Sequence, residues 1–289
     1  MSRSIGMSRV FQAGVCLIAS LLLPACDRGS RTSHAEAVEG DTPQRIVSLD
    51  LCADQFALKF VPPARILAVS PDAVKDFSYM REAAAGVLVV RPIAEDVLLL
   101  KPDLVVRAYG GGPNAAAYFE RLGIPVVEVG WANDIDSVLT NIERIATALG
   151  SAAEGRRVVA EARERLDAIA AKGSGNAALY MTPAGVTTGP GSLIHEMLVA
   201  AGLQNFQEQP GWNPVPLERL AYEQPDLVAA AFFETLTNHP DAWSAARHPV
   251  ARAQLRQPST VPIKGAWTAC TSWSILDAIE ALAEESAAP

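Results

Sequence analysis

Short apolar runs alternate along most of this chain with stretches in which apolar residues recur at helical spacing. Turn-forming Pro, Gly and Asp separate the two kinds of segment. The apolar runs predict strands at 46–49, 66–69, 87–90, 104–107, 124–129, 177–181 and 261–263. The stretches between them predict helices, among them 51–60, 115–122, 135–149, 193–201 and 275–283. Strands that alternate with helices in this way indicate an α/β fold in which mostly parallel sheets are flanked by helices.

One pattern occurs twice, at positions that differ by 123 residues: EDVLLLKPDLVV at 95–106 and ERLAYEQPDLVA at 218–229. Each copy predicts a short helix that ends at Pro and a buried strand after Asp, because Pro cannot continue a helix. Helix–Pro–strand segments are common in α/β proteins, so a chance match is the alternative. The constant offset and the leading glutamate favour duplication into two similar lobes.

Residues 151–172 carry no strand signal and no internal Pro, and their apolar positions lie on one face at helical spacing. Arg165 is spaced for an exposed ion pair with Glu161. The helix would be about 33 Å long, and it falls midway between the two repeats. An ordinary surface helix is the alternative, but this position favours a rigid connector. The predicted organisation is an N-terminal lobe 45–149, a connecting helix 150–173 and a C-terminal lobe 174–289.

The N-terminus predicts an export signal. Arg3 and Arg9 accompany an apolar run that is short for a membrane span, so 1–25 is typical of a signal peptide. The segment Leu-Pro-Ala-Cys resembles a bacterial lipobox, which predicts lipidation of Cys26; a cleaved signal with an incidental Cys26 is the alternative. Residues 26–44 are polar and predict a flexible tether. We therefore expect a periplasmic protein anchored to the inner membrane.

Charge and cysteine usage narrow the function. The formal net charge of −8 argues against a nucleic-acid partner, which would require a basic surface. Cys16 falls in the signal peptide and Cys26 would carry the lipid, which leaves Cys52 and Cys270 as an even pair in an oxidising compartment. The four histidines are scattered and no CxxC motif occurs, so we predict no metal site.

Catalytic motifs are also missing from the sequence. It contains no GxSxG elbow, no Walker A motif and no GxGxxG after a strand. The glycines at 110–112 lack the Lys-Ser/Thr of a phosphate-binding loop. We therefore predict neither an enzyme nor a resident cofactor.

Large aromatic residues cluster at or just beyond the carboxyl ends of predicted strands, or in loops. Ligands of open parallel sheets bind at that edge, and such aromatics suit a large, partly apolar ligand. Each residue taken alone is equally compatible with a core position. The set comprises Tyr109, Trp131, Trp212, Trp267 and Trp273.

These segments together resemble a known family. RIVSLDLCADQFALKF (45–60), RILAVS (65–70), the block 95–106, the glycine loop, GIPVVEV (123–129) and the long helix are similar to substrate-binding proteins of ABC importers, of the helical-backbone class (class III). The resemblance implies two α/β lobes joined by one rigid helix, with a ligand cleft between them. It implies a monomeric receptor that delivers a metal chelate, such as a ferric siderophore or a corrinoid (cobalamin).

The same resemblance implies roles for individual residues. Glu95 and Glu218 would dock on arginines of a permease dimer that is driven by a cytoplasmic ATPase. Tyr109 and Trp212 match aromatic positions in the cleft of the vitamin B12 receptor. Further ligand-binding candidates by location are Asp50, Cys52, Ser70, Arg91 and Trp267, and a disulfide between Cys52 and Cys270 is a candidate at the cleft rim.

Three alternatives remain open at this stage. A haem receptor of the same class differs only in its ligand. A secreted two-lobe α/β enzyme would need a nucleophile–base pair or a set of cluster ligands in the cleft, and the sequence offers neither. A receptor for free zinc or manganese would need a cluster of His, Asp and Glu, against which the scattered histidines argue.

Overall fold

The computed structural model describes residues 42–170, 174–231 and 244–287. The predicted signal peptide, the lipidation at Cys26 and residues 27–41 of the tether lie outside the described residues. No helix within the described ranges is long and apolar enough to cross a membrane.

The first lobe is built on a four-stranded parallel sheet with strand order β2-β1-β3-β4. Its strands are β1 (Ile46–Ser48), β2 (Ile66–Ala68), β3 (Leu104–Arg107) and β4 (Val126–Glu128). Its helices are α1 (Leu51–Phe60), α2 (Ala94–Leu99), α3 (Ala115–Arg121) and α4 (Ile135–Ala148). The strand predicted at 87–90 is wrong, since only a single bridge joins Val89 to Val69.

The second lobe follows α5 (Ala152–Ala170). Its parallel sheet has strand order β7-β5-β9-β10, and a separate antiparallel pair, β6–β8, lies outside it. Its strands are β5 (Ala177–Met181), β6 (Val186–Thr188), β7 (Gln204–Asn205), β8 (Trp212–Pro214), β9 (Leu227–Ala231) and β10 (Thr260–Ile263). Its helices are α6 (Leu193–Ala200), α7 (Leu217–Leu220), α8 (Pro249–Gln254), α9 (Gly265–Thr268) and α10 (Ile275–Ser286).

The two sheets therefore share one topology. In each sheet, the first strand of the lobe lies between two strands that follow it in the chain. One is an edge strand, β2 or β7, and the other begins just after the repeated aspartate, as β3 or β9. The predicted α/β fold with a mostly parallel sheet in each lobe is confirmed.

The repeated aspartate has the same role in both lobes. The Asp103 carboxylate accepts from the backbone N–H groups of Gln44 (2.8 Å) and Arg45 (2.9 Å). The Asp226 carboxylate accepts from the N–H of Ala177 at 2.8 Å. Each aspartate also donates its own N–H to the carbonyl of Arg45 or Ala177. The side chain thus fixes the start of the neighbouring strand, β1 or β5.

The connector α5 packs against α4 and α10. The predicted pair of Arg165 with Glu161 is wrong, because Arg165 instead reaches across to α10. There it donates to Asp277 (2.8 Å) and Glu280 (2.6 Å). Asp277 also accepts from the hydroxyl of Tyr79, in the first lobe, at 2.9 Å.

A second connection joins the lobes beside this network. The ring of Trp273, which precedes α10, lies edge-on to Phe56 and Phe60 of α1, with 5.5 Å between centroids in each case. Next to it, a disulfide links Cys52 of α1 to Cys270, with 5.3 Å between the Cα atoms. The segment after β10 is therefore fixed to the first lobe, and Trp273 is a core residue.

Candidate ligand-binding site

A cavity of about 350 Å³ lies between the two lobes. On the first lobe it lies beyond the carboxyl ends of β3 and β4, the edge at which open parallel sheets bind ligands. The second lobe contributes the start of α6, strand β8 and the segment that carries the disulfide. The lining comprises Cys52, Ala108, Tyr109, 130–133, 191–194, Gly211, Trp212 and 268–271.

Asp50 holds Tyr109 at the cavity. Its carboxylate caps α1 through the N–H of Ala53 (3.0 Å). The same carboxylate accepts from the N–H groups of Ala108 (2.7 Å), Tyr109 (3.0 Å) and Gly110 (2.8 Å). Asp50 is only 2% exposed, so its charge is satisfied by these backbone donors. We expect it to position the turn after β3 rather than touch a ligand.

The glycine loop that follows is held from inside the first lobe. The buried Arg107 guanidinium donates to the carbonyls of Gly110 (2.8 Å) and Gly112 (3.1 Å) and pairs with Glu128 at the end of β4 (2.5 Å). A Cβ at Gly110 would overlap the Leu49 carbonyl, so only glycine fits there. Arg107 thereby ties the loop that follows Tyr109 to the end of β4.

Trp131 follows β4 and is 84% exposed. The turn before it is fixed by Arg144 of α4, whose Nη2 donates to the carbonyls of Glu128 (2.7 Å) and Val129 (3.1 Å). Gly130 adopts a φ of +75°, which turns the chain into the cavity. Fixed backbone beneath an exposed indole is the arrangement expected of a ligand-contacting residue.

Trp212 enters the cavity from the second lobe on β8. Its backbone pairs with Thr188 of β6, and a Cβ at Gly189 would collide with the Gln209 carbonyl, so this loop packs too closely for any other residue. The indole backs onto the buried Tyr180 ring at 6.3 Å between centroids and remains 61% exposed. The outer part of Trp212 is thus free to contact a ligand.

The described part of the lining is uncharged. Among the described residues, none of those that line the cavity is Asp, Glu, Lys, Arg or His. Burial raises the pKa of the Tyr109 phenol, and the carboxylates of Asp50 and Asp72 raise it further. Tyr109 therefore stays a neutral hydrogen-bonding group at physiological pH.

The structure separates the predicted ligand-binding residues into two groups. Tyr109, Trp212 and Cys52 line the cavity, and their binding role stays a prediction. The remaining candidates lie outside the lining. Asp50 supports Tyr109 from behind, and the Ser70 hydroxyl donates to Asp54 at 2.6 Å.

Two more predicted residues also lie away from the cavity. Arg91 is exposed and pairs with Asp96 at 2.8 Å. Trp267 packs against the core, with the Lys264 ammonium 4.9 Å from its ring centroid. The sequence marks Trp131 only as an aromatic beyond a strand, and that position is the signal for it. Asn133, Leu193 and Ile194 also line the cavity, and no sequence feature marks them.

Two features bear on metals and cysteines. In the part of the chain that the structure describes, no group of three or more His, Cys, Asp or Glu side chains is arranged to hold a metal ion. The disulfide between Cys52 and Cys270 is present, as predicted, and it forms part of the cavity wall.

Comparison with known proteins decides the family. The sequence profile of the periplasmic binding protein family matches residues 65–233. The chain belongs to the periplasmic binding protein family. A comparison with curated protein sequences returns no match.

Solved structures of periplasmic binding proteins share the fold. The vitamin B12 binding protein of Vibrio cholerae superposes with a TM-score of 0.62 at 20% identity, covering 85% of this chain and 97% of that one. A haem binding protein of Pseudomonas aeruginosa gives 0.61 at 19% identity, with 83% and 91% coverage. A ferric hydroxamate transport protein of Saccharomonospora viridis gives 0.62 at 20% identity, with 85% and 94% coverage. The predicted helical-backbone class and the substrate-binding function are confirmed.

Proposed function

We propose that this periplasmic binding protein is the receptor of an ABC importer and holds a bulky metal chelate without net negative charge, such as a corrinoid or an uncharged ferric hydroxamate. The observation that carries the proposal is the cavity wall: indole and phenol rings from both lobes, with no charged side chain among the described lining residues. Rings of this kind bind a large ligand through contact area and few polar groups.

The uncharged side chains of the described lining favour some chelates over others. An anionic ligand, such as ferric citrate or a ferric tris-catecholate, would lose its hydration without gaining a cationic partner, which is costly. Haem carries two propionates, which would likewise lack a cationic partner among the described lining residues. A chelate whose donor groups neutralise its metal fits such a wall better.

The delivery step rests on a different surface. Glu95 and Glu218 are exposed in the first turns of α2 and α7. Within the described residues, neither carboxylate has an ion-pair partner. We assign them to docking on arginines of a permease dimer, with the protein monomeric and held at the inner membrane by a lipid on Cys26.

Equilibrium titration tests the ligand class. The cavity indoles report binding through the fluorescence of the purified protein. We expect cobalamin, cobinamide or an uncharged ferric hydroxamate to quench this fluorescence saturably, and ferric citrate, a ferric catecholate and zinc to have no effect. Haem is followed separately by its absorption band. Binding of anionic chelates alone, or of no chelate by folded protein, would contradict the proposal.

A further inference from the structure

The two repeats carry a second matched feature beside their glutamates. Leu99 is four residues after Glu95, and Tyr222 is four residues after Glu218, again 123 positions apart. Leu99 is 80% exposed and Tyr222 is 91% exposed. Side chains at this spacing lie on the same face of a helix. Each lobe therefore presents a carboxylate next to an unburied apolar side chain.

The backbone keeps this spacing in both lobes. Leu99 is the last residue of α2. Tyr222 lies just beyond α7, where helical turns continue, since its N–H donates to the Arg219 carbonyl at 3.0 Å and that of Glu223 donates to the same carbonyl at 2.8 Å. The two pairs are therefore presented in equivalent ways on two lobes that share one sheet topology.

The charges next to the glutamates are already satisfied within the chain. Asp96, which follows Glu95, pairs with Arg91 at 2.8 Å. Arg219, which follows Glu218, pairs with Glu223 at 2.7 Å and with Glu208 at 3.0 Å. Each surface, within the described residues, thus has one unpaired negative charge with an apolar neighbour, which is complementary to a cation set beside an apolar surface.

We infer that Leu99 and Tyr222 are apolar docking contacts for a membrane permease with two equivalent subunits, each of which presents an arginine or lysine beside an apolar patch. The inference rests on the proposed function, because it names how the receptor meets its permease. Exposed ion pairs contribute little free energy by themselves. Burial of Leu99 and Tyr222 supplies affinity, while the glutamates set the approach and register.

The test measures binding of the full protein to its cognate permease–ATPase complex in lipid nanodiscs. We expect the double variant Leu99→Ser, Tyr222→Ser to bind at least about tenfold more weakly, with the salt dependence of the native protein. Glu95→Gln, Glu218→Gln should instead lose most of that salt dependence. The matched control is Leu122→Ser, Val199→Ser, one half-exposed apolar residue from each lobe, which should bind as the native protein does.

Each other outcome overturns the inference. Native affinity in the apolar double variant, with weakened binding in the glutamate variant, removes the apolar contacts but leaves the receptor function intact. If the native protein binds a chelate but does not bind the permease, both the apolar docking contacts and the proposed delivery to a permease are wrong. If the Leu99→Ser, Tyr222→Ser variant loses binding to empty nanodiscs by the same factor, the two side chains contact lipid instead. If the native protein sediments as a dimer and this variant does not, they contact a second copy of the chain. Unchanged thermal unfolding of each variant shows that folding is intact.

Discussion

At the scale of single residues, the candidate site consists of exposed aromatic rings whose backbone is fixed by hydrogen bonds. Trp131 and Trp212 keep most of their surface exposed while backbone hydrogen bonds and close glycine packing fix their positions. Little reorganisation is then needed when a ligand arrives, which favours affinity.

Replacement of these rings tests that view. We expect Trp131→Ala and Trp212→Ala each to weaken chelate binding by about tenfold or more, because contact area is lost. The midpoint of thermal unfolding should change little, since neither ring is buried. Tyr118→Ala, a partly exposed aromatic outside the cavity, is the control. A large stability loss in Trp212→Ala would show that the indole supports Tyr180 and the core instead.

Asp54 gives a prediction about pH. This carboxyl is buried behind the site, and burial raises its pKa from 3.8 to about 6, although hydrogen bonds from Ser70 oppose the rise. The folded state therefore binds this proton more tightly than the unfolded state. Stability from this group is present below pH 3.8 and is lost as pH rises to about 6.

The difference in unfolding free energy between Asp54→Asn and the native protein should grow by about 3 kcal/mol in favour of the variant as pH rises from about 4 to about 7. Denaturant unfolding at several pH values measures this difference. Asp134→Asn is a control with the opposite pH dependence. Hydrogen bonds from Ser137 lower the pKa of Asp134, so the stability that the Asp134 carboxylate contributes is lost as pH falls. A pH-independent effect of Asp54→Asn would contradict the assigned ionisation.

Residue roles are only partly predictable from the sequence. The place of Tyr109 at the cavity agrees with the rule that ligands meet the carboxyl ends of parallel strands, whereas Trp212 is a candidate because it falls in a predicted loop; both binding roles stay predictions. Asp50 is a cleft candidate by sequence, but its carboxylate is used by N–H groups 58 to 60 residues further along the chain. Such a contact depends on how β1 and β3 pair, which no local pattern encodes.

At the scale of elements, the repeated Asp-Leu-Val begins the equivalent strand of each sheet, and its aspartate holds the start of the neighbouring strand. Asp103→Ala and Asp226→Ala should each lower the unfolding free energy by about 1 kcal/mol, because exposed backbone donors lose a charged acceptor. Denaturant unfolding measures both, and chelate affinity should be unchanged. Losses no larger than that of Glu120→Ala, an exposed carboxylate on α3, would show that the aspartates are dispensable.

Periodicity predicts most strands and helices because their apolar faces are buried in the hydrophobic clusters of the molecule. It fails where tertiary context decides the backbone. The apolar run 87–90 forms one bridge to Val69, with Val89 exposed rather than buried. The polar segment that forms β6 carries a turn signal, and only its pairing with β8 makes it a strand.

At the scale of the molecule, the connections between the lobes seen among the described residues include α5, the Arg165–Asp277–Tyr79 network, and the contact of α1 with the segment of Trp273 and Cys270. The helix α5 is predictable from the uniform helical pattern of its sequence. The other two join residues far apart in sequence, so no local pattern specifies them. Together the three features imply a cleft that changes little in width when a ligand binds.

The disulfide can be removed from this connection by mutation or by a reductant. Cys52→Ser, Cys270→Ser should lose about 2–5 kcal/mol of unfolding free energy, since the bond closes a long loop in the unfolded chain. We expect weaker chelate binding and a larger radius of gyration in small-angle scattering, because one lobe-to-lobe restraint is gone. A reductant should affect the native protein in the same way and leave the variant unchanged. Equal scattering curves and affinities would limit the role of the bond to the free energy of unfolding.

The span of that bond also affects how the molecule is made. The two cysteines are 218 residues apart, and a chain that reaches the periplasm N-terminus first exposes Cys52 long before its partner arrives. During that interval the Cys52 thiol lacks its partner and can exchange with other disulfides. The part of the cavity wall that contains the disulfide can therefore form only after Cys270 has reached the same compartment and the bond has been oxidised.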